Sequence, residues 1–175
     1  MVAEDINVVL EKALWLVNYS FNATRITAVR RLDRSLPRVW LDHGKMEQVF
    51  INLLTNAIHA MPHGGTIDVS TFAEPAGPTG VPRAEGEPAG WVVVQIQDTG
   101  PGIPPEHLAR LFTPFFTTKQ KGLGTGLGLS VTKSIVELHG GHIELINAPE
   151  GGARVTVTLP AAKETIYEKS TDTLR

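Results

Sequence analysis

The sequence predicts an α/β fold in which a layer of helices lies on one face of a mixed sheet. Three features lead there. Apolar residues recur at helical spacing over residues 5–20, 44–61 and 125–139. Between and around these lie short runs of strand composition, at 25–32, 38–41, 66–72, 91–97, 142–147 and 153–159. Glycine pairs at Gly64-Gly65, Gly140-Gly141 and Gly151-Gly152 punctuate the transitions.

Asp5 is placed as the N-cap of the first helix, whose inward face is Val9, Leu10, Ala13, Leu14 and Val17. The strands at 25–32 and 38–41 flank a turn at Ser35-Leu36-Pro37. Asp42 caps a second helix that turns Met46, Val49, Phe50, Leu53, Leu54, Ala57 and Met61 inward and stops at His63-Gly64-Gly65. Nearly half of residues 74–90 are Pro or Gly and no apolar period survives there. A flexible hairpin insert between two strands is expected for that stretch. A short helix is expected over 104–112 and a longer one over 125–139, with Leu127, Val131, Ile135 and Leu138 inward. One domain should therefore occupy residues 1–160, followed by a polar, frayed tail over 161–175.

At 175 residues the chain can bury a sizeable core. A formal net charge of −2 shows no basic excess, which argues against a nucleic-acid partner. Cysteine is absent, so disulfides and thiolate metal sites are excluded, which fits a cytoplasmic setting. No apolar run approaches the ~18 residues of a membrane span, so direct membrane contact is not expected, whatever a longer parent does.

The chemistry concentrates in three places. Gln48, Asn52, Asn56 and His59 share one side of the second helix, opposite its apolar face. Asn is a mediocre helix former, and an amide oxygen there suits a magnesium ion on a phosphate chain. A solvated face with two incidental amides is the alternative. Asp98 ends an apolar strand and enters Thr99-Gly100-Pro101-Gly102. Bare backbone at Gly100 and Gly102 would let a flat base lie beside a carboxylate that accepts from an adenine amine. An isolated Asp-x-Gly turn, in which Asp bonds its own backbone, accounts for the same residues. Gly122-Leu123-Gly124-Thr125-Gly126-Leu127-Gly128 opens a helix and has neither the P-loop ending nor the Rossmann spacing. Its amides and the helix N-terminus are donors for phosphate, with Lys119 and Lys121 near enough in sequence to add charge. Phe112, Phe115 and Phe116 surround Pro114 as a local anchor that would hinge a lid. His139 and His142 have metal-ligand spacing, but nothing supplies further ligands.

Four stretches in order resemble the N, first glycine, F and second glycine boxes of sensor histidine kinases. They are Asn52-Leu53-Leu54-Thr55-Asn56-Ala57, Asp98–Gly102, Phe112–Lys119 and Gly122–Gly128. The Pro114-Phe115-Phe116-Thr117-Thr118-Lys119 form resembles the nitrogen-regulation branch. The resemblance implies a Bergerat fold, a two-layer α/β sandwich with a mixed, mostly antiparallel sheet, helices on one face and a mobile ATP lid at 103–125. It implies Mg2+ on Asn56, Asn52 and His59 near the phosphates, and Asp98 on the adenine amine in a pocket shaped by Gly100 and Gly102. Lys119, Gly122, Gly124, Thr125, Gly126, Leu127 and Gly128 would hold the remainder of ATP. In many relatives a basic residue stands where this chain has His59, whose charge varies near neutral pH.

Two departures from the family matter. Hydrolytic members carry Glu where this chain has Asn52, and an amide cannot usefully take a proton from water, so hydrolysis should be slow. Ala153 stands where many relatives have a hydroxyl. No histidine here has the context of a phosphoacceptor. The resemblance therefore implies a catalytic part that works on a dimerisation/phosphoacceptor domain supplied elsewhere in the kinase, with a response regulator receiver domain as the next recipient.

Overall fold

Each of the first two long helices presents one apolar face, and a five-stranded sheet receives both. The computed structural model describes residues 1–75, 90–117 and 125–162. In chain order the elements are β1 (Val2–Glu4), α1 (Ile6–Thr24), β2 (Ile26–Leu32), β3 (Val39–Leu41) and α2 (His43–Ala60). Then come β4 (Gly65–Glu74), β5 (Trp91–Asp98), α3 (Pro105–Leu108), α4 (Gly128–Leu138), β6 (His142–Asn147) and β7 (Ala153–Pro160). The main sheet has the order β2-β4-β5-β7-β6, and a small ribbon pairs β1 with β3. Only β2 and β4 run parallel; the β4–β5, β5–β7 and β6–β7 pairs are antiparallel. This is the mixed, mostly antiparallel sheet under one helical layer that the sequence predicts. The proposed insert at 74–90 and the tail lie largely outside the described residues, as does the 118–124 stretch of the lid.

Helix α1 begins where the Asp5 side chain accepts from the Asn7 amide at 2.9 Å. Its expected inward residues are all buried, joined by Ile6 and Phe21. Helix α2 begins at Asp42, whose carboxylate accepts from the Lys45 amide at 3.1 Å. That bond holds the Asp42 carboxyl below the usual carboxylate range. All seven expected inward residues of α2 are buried, with Phe50 fully enclosed. A buried polar knot ties α1 to the sheet. The Asn7 side chain donates to the Asp33 carbonyl at 2.7 Å and accepts from the Thr71 hydroxyl at 3.0 Å.

The strands expected at 25–32 and 38–41 are both present, but in different sheets: Val39–Leu41 pairs with β1, a strand ahead of the first helix cap that is too short to show a period. Two expectations need correction. Helix α3 stops at Leu108, because none of its residues is buried and no apolar face holds it further. Helix α4 starts at Gly128 and buries Thr132, Ile135 and Val136, with His139 buried just beyond it. Leu127, Val131 and Leu138, expected inside, are exposed. Two of the four buried residues are polar, which hid the true inward face from a count of apolar positions.

Truncation of Phe50 to Ala should cost about 3–5 kcal/mol in urea unfolding. Trp15, 73% exposed on the outer side of α1, should tolerate the same change within about 0.5 kcal/mol. Equal losses at the two sites would contradict this core.

Candidate nucleotide-binding site

A cleft of about 460 Å³ opens between α2, the C-terminal end of β5 and the segment leading into α4. It gathers most of the residues singled out from sequence. Asn52, Asn56 and His59 line it from α2, Asp98 and Gly102 from the end of β5, and Thr125, Gly126 and Gly128 from the approach to α4. Gln48 and Leu127 instead line a smaller groove of about 230 Å³ beside it, along with Val131 and Thr132. Lys119, Lys121, Gly122 and Gly124 lie outside the described residues.

One end of the cleft is built around a buried carboxylate. Asp98 is 6% exposed, at the end of the central strand β5. Its Oδ1 accepts from the Gly100 amide at 2.8 Å and from the Ala153 amide at 3.2 Å. Two amides on one oxygen satisfy it and fix the rotamer. Asp98 also lines the cleft. The self-bonded turn is therefore present, at a carboxylate that borders the cleft. Ala153, lacking a hydroxyl, contributes through its backbone.

The glycines serve reasons beyond the one expected of them. A Cβ on Gly100 would lie 2.9 Å from Asp98 Oδ1, so Gly100 leaves room for the carboxylate itself. Gly102 has φ +76°, and a Cβ there would come 2.9 Å from Asn147 Oδ1. Gly152 has φ +79°, and a Cβ there would overlap the Asp98 carbonyl oxygen. Gly152 and Asn147 had no signal in the sequence beyond a turn and a strand end. The turn between β6 and β7 that carries Gly152 is braced by Glu150. Its carboxylate accepts from the Gln97 side chain at 2.9 Å and Arg154 at 2.7 Å. The Gln97 bond, with backbone and Arg154 contributions, holds the Glu150 carboxyl below its usual range.

At the other end, α2 meets α4 through a polar contact. Asn52 Nδ2 donates to the buried Thr132 hydroxyl at 2.8 Å. A Cβ on Gly128 would come 2.6 Å from Asn52 Oδ1, so glycine is what lets the helix start approach this amide. Asn56 and Asn52 are half-buried and His59 is exposed, all on the cleft side of α2. The carboxamide oxygen of Asn56 is a hard donor of the kind a magnesium ion takes, so the residues present fit that ion.

The phenylalanine cluster divides. Phe112 and Phe116 are half-buried, with Lys133 5.7 Å from the first ring and Arg110 4.7 Å from the second. His107 meets Phe116 edge-on at 5.4 Å and also lines the cleft. Phe115 is 76% exposed and has φ +66°, an uncommon backbone for a bulky residue. A Cβ on Gly126 would overlap the Phe115 backbone, so the chain entering α4 packs directly against the segment at Phe115.

His139 is not half of a metal pair. Its Nε2 accepts from the Asp42 amide at 3.0 Å and its Nδ1 faces the Ile135 carbonyl at 2.7 Å, which uses both nitrogens and sets the tautomer. His142 is exposed on β6, and among the described residues no group of three or more potential ligands surrounds a metal position.

A family model described as histidine kinase-, DNA gyrase B- and HSP90-like ATPase matches residues 41–163. The chain belongs to this family. It is 36% identical over 158 residues to the sensor histidine kinase ZraS of Escherichia coli O157:H7, covering 90% of this chain and 31% of that protein. It therefore spans about a third of the length of that relative. Among solved structures, the catalytic domain of histidine kinase ThkA aligns with TM-score 0.73 and 30% identity, over 91% of this chain and 95% of that one. A second structure, of ThkA in complex with the response regulator protein TrrA, aligns with TM-score 0.70 and 28% identity, over 94% of this chain and 42% of that one. Within the family, this chain is a histidine kinase catalytic domain of the ATP-binding α/β fold. No described helix is long and apolar enough to cross a membrane.

The β6–β7 turn offers a controlled test of the base pocket. Gly151 and Gly152 both have positive φ, but a Cβ on Gly151 meets nothing within 4 Å. Gly152→Ala should therefore cost well over 1 kcal/mol in urea unfolding, and Gly151→Ala only about 1 kcal/mol. Equal costs would remove the Gly152–Asp98 contact from the account.

Proposed function

We propose that this domain binds Mg-ATP in the cleft and delivers its γ-phosphoryl group to a histidine imidazole on the dimerisation/phosphoacceptor domain of the same kinase. The observation that carries the reading is Asp98. It is a buried carboxylate that lines the cleft, with one oxygen satisfied by two amides. An acceptor fixed in this way suits the exocyclic amine of adenine and rejects guanine, which has a carbonyl there.

With the base at Asp98, the triphosphate extends toward Asn52, Asn56 and His59 and the N-terminus of α4. The helix terminus and its unpaired amides favour negative charge, with Gly128 at the first turn. Asn56 would hold the magnesium ion, which supplies charge neutralisation on the phosphate chain. The chain's own contribution is to orient the phosphates and limit water activation. Asn52, locked to Thr132, has no carboxylate with which to take a proton from water, so transfer is favoured over hydrolysis. In the transfer, the bond from the γ-phosphorus to the ADP oxygen breaks and a bond to the imidazole nitrogen forms. The imidazole loses its N–H proton. Positioning and charge stabilisation account for most of the rate.

The acceptor must approach from the phosphate end, and that rim is apolar. Leu127 and Val131 are exposed on the groove beside the cleft, and Phe115, exposed as well, has its backbone against Gly126 of the cleft lining. They suit a helix of the phosphoacceptor domain. The lid over 103–125, with Lys119, Gly122 and Gly124 on its return, would close on the phosphates. A receiver domain of a response regulator, the kind of partner named for ThkA, would take the phosphoryl group next. A cytoplasmic location follows from that chemistry, which draws on cellular ATP.

Two substitutions test the reading. Asp98→Asn should weaken ATP binding about ten- to a hundredfold in calorimetric titration, from loss of one charged acceptor. Unchanged affinity would remove the adenine assignment. Asn56→Ala should abolish the gain in ATP affinity on adding Mg2+ and, with a phosphoacceptor domain supplied, transfer as well. Persistent magnesium-dependent transfer would displace Asn56 from the metal.

A further inference from the structure

We propose that Asn147, at the last position of β6, is a positioning residue for the adenine pocket. It acts by holding the backbone of Ile103. The inference rests on the adenine reading of Asp98.

The Asn147 side chain makes a two-point contact. Its Oδ1 accepts from the Ile103 amide at 2.7 Å, and its Nδ2 donates to the Ile103 carbonyl at 2.7 Å. A carboxamide here imitates a strand neighbour, pairing with both main-chain groups of one residue. Among the described residues no other hydrogen bond ties residues 101–103 to the rest of the fold. The segment before it is anchored separately, through the Thr99 amide on the Thr66 carbonyl at 3.2 Å and the Asp98–Gly100 bond. Gly102 and Ile103 both line the cleft. Gly102 also leaves just enough room for the carboxamide, as the 2.9 Å approach of a hypothetical Cβ to Asn147 Oδ1 shows.

The same hairpin holds the facing wall. Ala153, paired with Asn147 across the end of β6 and β7, gives its amide to Asp98 Oδ1. One pair of residues thus grips both sides of the slot, Ala153 the carboxylate and Asn147 the Gly102–Ile103 backbone. The distance between them sets the width available to a flat base. Asn147 is exposed and packs no core, so its amide is not needed to hold the fold. Its effect falls on the geometry of the pocket.

The test compares wild type with Asn147→Ala and Asn147→Asp. ATP affinity is measured with and without Mg2+, and the urea midpoint is measured for each protein. Both variants should weaken ATP binding about tenfold, through loss of the two-point contact. The aspartate is nearly isosteric and keeps an acceptor for the Ile103 amide, but it turns a charged oxygen on the Ile103 carbonyl. It should therefore rescue nothing. The ratio of affinities with and without Mg2+ and the urea midpoint should both stay at their wild-type values, because the damage is confined to the base end. Unchanged ATP affinity in both variants would overturn the proposal. Rescue by Asn147→Asp would overturn it too, since shape alone would then suffice, as would weakened binding together with a lowered midpoint. Asp98→Asn measured alongside separates the two ideas. If it leaves ATP affinity intact, the adenine reading fails independently of Asn147.

Discussion

The Asp98 carboxylate, held on one oxygen by the Gly100 and Ala153 amides, is the constraint around which the rest of the site is arranged. A carboxylate this enclosed must be hydrogen-bonded or it would not remain where it is. Satisfying it requires two turns to meet at the end of β5. The Gly100 turn folds back on the side chain, the β6–β7 turn brings the Ala153 amide, and Gly152 must be bare for that turn to fit against the Asp98 carbonyl. The sheet order follows the same need. With β7 beside β5, the turn that precedes β7 arrives at the C-terminal end of β5.

The other end of the cleft depends on a different contact, between α2 and α4. The two helices do not meet there through apolar surface but through Asn52 and the buried Thr132, with Gly128 giving the amide space. That bond orients Asn52 and sets the first turn of α4, whose N-terminus faces the cleft, against the helix that carries Asn56. Below it, the buried His139 links the end of α4 to the Asp42 cap at the start of α2. Two separate polar contacts therefore join the helix pair, one near the cleft and one at the Asp42 cap. They explain why the apolar count along α4 gives a misleading inward face.

Much of the architecture was legible in the sequence, because α1 and α2 have apolar faces of clean period and local caps at Asp5 and Asp42. The cleft residues of α2 and the end of β5 were legible for the same reason. Their polarity breaks an otherwise regular pattern. What escaped is what depends on contacts between distant segments. Nothing local distinguishes Asn147 from any polar strand end, or Gly152 from any turn glycine, until Ile103 and Asp98 are seen against them. The β1–β3 ribbon escaped because three residues are too few for a period, and Thr132 and His139 because buried polar groups read as surface.

In the proposed function a fixed carboxylate selects adenine, while an amide in place of a carboxylate withholds water activation at the phosphates. Titration of the wild-type domain with ATP and with GTP, each with and without Mg2+ and with phosphate release followed in the same sample, tests both halves at once. ATP binding should be strengthened by Mg2+, GTP should bind far more weakly, and phosphate release should be negligible. Equal binding of GTP would remove the adenine role of Asp98, and steady release of phosphate from ATP would remove the role given to Asn52.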